Sequence, residues 1–85
     1  MSKSAFSDAH QILVEQLTAA RKQAGMKQEE LAALIGKDQS YVSNIERGQR
    51  RVDVLEFVTI SRLLKVDPVK MLADIVSKLP EDIAI

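Results

Sequence analysis

Residues 27–48 read KQEELAALIGKDQSYVSNIERG, and this stretch decides the fold. Leu31, Leu34 and Ile35 form a short apolar face over a helix from Gln28 to Ile35, with the small Ala32 suited to close packing. Glu29 and Glu30 occupy its first turn, where the helix dipole favours acids. Gly36 ends it, and Asp38 is an N-cap for a second short helix over 39–47 that Gly48 terminates. The apolar set of that second helix is small: Val42 and Ile45, with Tyr41 in part. Gln39, Ser40, Ser43, Asn44 and Arg47 are left facing outward, hydrogen-bonding groups of moderate length with a single charge among them.

The flanking sequence is also helical. Leu13, Leu17, Ala20 and Ala24 place an apolar stripe on a helix over 7–24, capped by Ser7 and stopped by Gly25. After the polar connector QRRV, Asp53 and Glu56 have capping-box spacing, and Phe57, Ile60 and Leu64 continue as a core stripe. Asp67-Pro68 starts a last helix, apolar through Met71, Leu72, Ile75, Val76 and Leu79 until Pro80. The expectation is an all-α, compact bundle of about five helices. It forms one domain over 1–85, with a helical core at 7–79, paired short helices at 28–47 and a tail at 80–85.

Composition narrows the chemistry. The chain has 85 residues, 46% of them hydrophobic, 28% charged and only 4% aromatic, which favours helix over sheet. With no cysteine, disulfides and thiolate metal sites are excluded. No apolar run approaches the roughly 18 residues of a membrane span, and the first residues lack a signal-peptide core, so a cytoplasmic protein with no membrane partner is expected. There is no nucleophile–base arrangement, metal cluster or phosphate loop, so neither an enzyme nor a cofactor is expected. His10 stands alone near the N-terminus and reads as a surface residue. Net charge is zero, but it is uneven: residues 1–19 carry −1, residues 20–51 carry +3 and residues 52–85 carry −2.

Two short helices around a tight glycine turn, the second with a polar outer face, have helix-turn-helix geometry, in which the second helix enters the major groove of DNA. Gln39 and Asn44 suit adenine through paired donor and acceptor contacts, and Ser40 and Ser43 read several bases. Arg47 reaches guanine or a phosphate. Lys37, Arg50 and Arg51 are candidates for phosphate contact, as is the Tyr41 hydroxyl.

Residues 14–79 resemble the Cro/CI-type (XRE) family of phage and bacterial repressors. The resemblance rests on Arg21, Gly25, Gln28, Leu31, Ala32, Ile35, Gly36, Tyr41-Val42-Ser43, Ile45-Glu46 and Gly48. It implies a lambda-repressor-like domain in which Gln28 touches the DNA backbone and buttresses the recognition helix. Gln39, Ser40 and Asn44 fall on the family's base-reading positions, with Ser43 beside them. Arg21 and Glu46 match a structural ion pair between the first and third helices. Two positions depart from the pattern. Lys27 replaces the usual Ser or Thr cap and is assigned to a phosphate, and Lys65 stands where a glycine often ends the fourth helix.

The apolar residues of the last two helices exceed what so small a bundle covers. With the family's habit of pairing through C-terminal segments, this assigns Leu63, Met71, Ile75 and Leu79 to a homodimer interface. The expected function is a dimeric regulator, a repressor, reading an inverted repeat in double-stranded DNA. The rival is a protein-interaction module with the same fold, such as an antitoxin that binds a protein partner.

Overall fold

Among residues 8–83, which the computed structural model describes, the elements are α1 (Asp8–Gln23), α2 (Gln28–Ile35), α3 (Gln39–Glu46), α4 (Val54–Leu63) and α5 (Pro68–Lys78), with no strand. The expected cap Ser7 lies outside the described residues.

Local chemistry accounts for the helix ends. Asp53 and Glu56 form a full capping box: the Asp53 carboxylate accepts from the Glu56 amide at 2.7 Å, and Glu56 Oε1 accepts from the Asp53 amide at 2.9 Å. Asp67 caps α5 by accepting from the Val69 amide at 2.9 Å, with Pro68 at the first helical position. Lys27 has no accepting side chain, yet Glu30 reaches back to its amide at 2.7 Å, so half of a capping box survives. At the other ends, α1 to α4 all close on the same pair of backbone bonds; at Gly36 these are Gly36 N to Ala33 O and Lys37 N to Ala32 O. The residue after the helix is Gly25, Gly36, Gly48 and, for α4, Lys65, all at positive φ.

The core is drawn from every helix, with Leu17, Leu31, Val42, Ile45, Phe57, Ile60, Leu64, Met71 and Ile75 all buried. A fully buried side chain of this size contributes roughly 1.5–3 kcal/mol. Ala32 is 1% exposed, so its methyl group lets α3 pack closely against α2. Ser61 is fully buried, and its hydroxyl donates to the Phe57 carbonyl at 2.8 Å, so no polar atom is stranded there.

Several facing assignments change. The inner stripe of α1 is Val14, Leu17, Ala20 and Arg21; Leu13 is half-buried at its edge and Ala24 is exposed. Leu34 is 56% exposed rather than inward. Met71 and Ile75, assigned from sequence to the dimer interface, are buried inside the chain's own core. Leu63 and Leu79 are half-buried against that core. The open stripe of α5 is instead Val69, Leu72 and Val76, at positions i, i+3 and i+7. No described helix is long and apolar enough to cross a membrane.

Candidate nucleic-acid interface

The outer face of α3 is set by its inner face. Val42 and Ile45 are buried, which turns Gln39, Ser40, Ser43 and Asn44 outward as two i, i+4 pairs. Gln39 and Ser40 are exposed, whereas Ser43 and Asn44 are half-buried.

A hydrogen-bonded chain runs from the interior to this face. Arg21, itself only 8% exposed, donates through Nε to Glu46 Oε2 at 2.6 Å and through a terminal nitrogen to Oε1 at 3.0 Å. Its other terminal nitrogen donates to the Met26 carbonyl at 2.7 Å, tying α1, α3 and the α1–α2 turn together. Gln28 Nε2 donates to Glu46 Oε1 at 2.9 Å, and Gln39 Nε2 donates in turn to Gln28 Oε1 at 3.1 Å. Gln39 is thereby anchored through one amide hydrogen. It keeps a second hydrogen and its own carbonyl oxygen, the donor–acceptor pair that an adenine edge requires.

The other candidates carry their own partners. Arg47 donates to Asn44 Oδ1 at 2.6 Å, which leaves the Asn44 amide hydrogens. Ser40 donates to Asp38 Oδ1 at 2.5 Å, and this bond holds the Asp38 carboxyl below its ordinary range. Asp38 therefore sits at the N-cap position of α3 with its carboxylate turned to a side chain rather than to a helix amide. Lys27, Lys37, Arg47 and Arg51 are exposed around the face.

Tyr41 and Arg50 converge on a residue the sequence reading placed only in a helix cap. The Tyr41 hydroxyl donates to Glu56 Oε2 at 2.6 Å, and an Arg50 guanidinium nitrogen lies 2.8 Å from the same oxygen. The guanidinium also stacks on the Tyr41 ring, 4.4 Å from its centroid, and Lys37 Nζ lies 5.7 Å from that centroid. Arg50 pulls the Glu56 carboxyl down to about 2, with help from Tyr41. Burial, and then Glu56, push the Tyr41 phenol up to about 12. His10, placed on the surface from sequence, is half-buried, and burial with the nearby Arg51 charge lowers its basicity. Among the described residues, no group of acids and histidines is arranged to hold a metal ion.

The sequence model of a family described as helix-turn-helix matches residues 17–71. A solved structure described as an XRE-family like protein from Pseudomonas syringae pv. tomato str. DC3000 is 40% identical, covers 85% of this chain and 88% of its own, and superposes with a TM-score of 0.78. The restriction-modification controller protein C.AhdI from Aeromonas hydrophila is 34% identical over 75% of this chain and 96% of its own, with a TM-score of 0.65. The control protein C.SmaI from Serratia marcescens is 28% identical over 67 residues, 79% of this chain and 80% of that protein.

Proposed function

The chain belongs to the XRE-type helix-turn-helix family of DNA-binding regulators, and from that premise we propose that it is a homodimeric, sequence-specific transcriptional repressor reading an inverted-repeat operator. The observation that carries this reading is the bonded chain from Arg21 through Glu46 and Gln28 to Gln39, which fixes a base-competent amide on an exposed helix face. Gln39, Ser40, Ser43 and Asn44 read base edges in the major groove, while Gln28, Lys27, Lys37, Tyr41, Arg47, Arg50 and Arg51 contact the backbone and hold register. Two copies meet through the open stripe of α5, with Leu63 and Leu79 at its margin. The described part of one copy measures 35 × 29 × 21 Å, a size that suits recognition helices about 34 Å apart in successive major grooves. The protein works in the cytoplasm, and its own concentration is the controlling input, in keeping with a chain related to small controller proteins.

The test is selection of bound duplexes from a random pool at about 0.15 M salt, followed by sequencing. The expected result is an enriched inverted repeat with half-site centres one helical turn apart. Asn44→Ala weakens binding to it by about tenfold, the scale of one lost bidentate base contact. A folded sample that enriches nothing would instead favour the protein-interaction module. The 75% and 78% exposure of Val54 and Leu55 is the observation on that side.

A further inference from the structure

Glu56 Oε2 is the point on which two DNA-facing candidates already converge. The Tyr41 hydroxyl reaches it at 2.6 Å and Arg50 at 2.8 Å. Arg50 lies in the connector that leaves the recognition helix, and its other terminal nitrogen donates to the Arg51 carbonyl at 2.8 Å. Its guanidinium is therefore held in a single orientation across the Tyr41 ring. A carboxylate oxygen and a phosphate oxygen accept from the same donors with similar geometry. The donors that a duplex backbone would use here are thus spent on an internal anion. The carboxylate stays ionised throughout the physiological pH range because Arg50 holds it down to about 2. The pair is largely open to solvent, with side-chain exposures of 40% for Arg50 and 23% for Glu56, so exchange for another anion is inexpensive.

We propose that Glu56 is an internal competitor for DNA phosphate: it holds Arg50 and Tyr41 in the free protein, and a duplex must displace it to gain their contacts. This rests on the DNA-reading function proposed above and adds to it a restraint on affinity. Because the displaced contact is to backbone, the restraint applies equally to operator and non-operator DNA. It lowers non-specific binding without touching the residues that read bases. That suits a chain whose middle segment carries a positive excess while its net charge is zero.

Glu56→Gln isolates the effect. Glutamine still accepts from the Asp53 amide as the third residue of a capping box and still accepts from Tyr41, so only the charge is lost. The experiment titrates the full chain against the selected operator and against a random-sequence duplex over a salt series. The variants are wild type, E56Q, R50Q and the E56Q/R50Q double. Asp53→Asn serves as a control that removes a neighbouring charge while keeping a good N-cap. E56Q is expected to bind both duplexes about two- to fivefold tighter near 0.15 M salt. Its plot of log affinity against log salt steepens by about 0.9, the signature of one more phosphate neutralised. The gain vanishes in the R50Q background, and D53N keeps the wild-type slope. An unchanged slope, weaker binding by a folded E56Q, or an equal steepening in D53N would overturn the proposal. Wild type binding neither duplex would sink the DNA-reading function; E56Q binding one in that case would support the restraint, and E56Q also failing would overturn it.

Discussion

Glu46 shows how much a single residue holds at this site. Its two carboxylate oxygens accept from Arg21 twice and from Gln28 once, so one side chain joins the core ion pair to the base-reading face. An ion pair this deep gains Coulombic energy but gives up the hydration of both charges, so its presence says little about net stability. Removing one partner is another matter. Glu46→Gln leaves the Arg21 guanidinium buried without its counter-charge and should cost about 3 kcal/mol in denaturant unfolding. Arg21→Met combined with Glu46→Met should cost clearly less than the sum of the two single changes, because no isolated charge remains. The double variant should nonetheless lose operator discrimination, since Gln28 would no longer be tethered and Gln39 would lose its anchor. A double variant as selective as wild type would show that the tether does not orient the reading face.

Among the elements, the helix ends carry the most local information. The turn between α2 and α3 depends on Gly36 at φ 85°, and a Cβ added there would meet nothing within 4 Å. The penalty for a side chain at Gly36 is therefore purely conformational, on the order of 1–2 kcal/mol. Lys65 bears such a penalty already. It closes α4 at φ 63°, with Lys65 N bonded to Arg62 O and Val66 N to Ser61 O, the same motif that glycine closes elsewhere in the chain. Its side chain is exposed, so nothing in the core needs it. Lys65→Gly should raise the stability of the folded chain by about 0.5–1 kcal/mol, with part of the relief offset by the greater freedom of glycine in the unfolded state. Thermal unfolding checks this: a lowered midpoint would mean that the lysine makes a compensating contact. Glu56 belongs at this scale too, since one carboxylate both caps α4 and grips the connector leaving α3.

At the scale of the whole molecule, the question is which apolar surface is core and which is left for a partner. α5 carries two stripes, Met71 and Ile75 facing inward and Val69, Leu72 and Val76 facing out. Substitution separates them. Val76→Glu places a charge on a residue 57% exposed, so the chain should stay folded while the dimer shifts to monomer in sedimentation. Binding to an inverted repeat should fall with it, because two half-sites are no longer held by one linked reader. Ile75→Ala should instead cost about 2–5 kcal/mol of folding stability, because it hollows out the chain's own core. A Val76→Glu protein that still sediments as a dimer would move the interface elsewhere, with the exposed Val54 and Leu55 as the next surface to test.

Five helices, their caps and stops, and the polar outer face of the recognition helix were legible in the sequence because each depends on residues within a few positions of one another. An Asp-Pro start, a capping box or a glycine stop acts through bonds that close locally, whatever the rest of the chain does. The facing of α1 was not legible. Leu13 and Val14 both fit an apolar stripe, and choosing between them means turning the helix by about 100°, which only the packed neighbours decide. For the same reason Leu34 reads as core by spacing but lies open, and Met71 and Ile75 exchange roles with Leu72 and Val76. The joining of Glu56 to Tyr41 and Arg50 was also out of reach, since it spans 15 residues of chain and exists only once α3 and α4 have packed into the bundle. Local spacing determined which elements form and which polar residues share a face. The tertiary structure decided how each helix is rotated and which charges meet, because both are set by where the neighbouring helices come to rest.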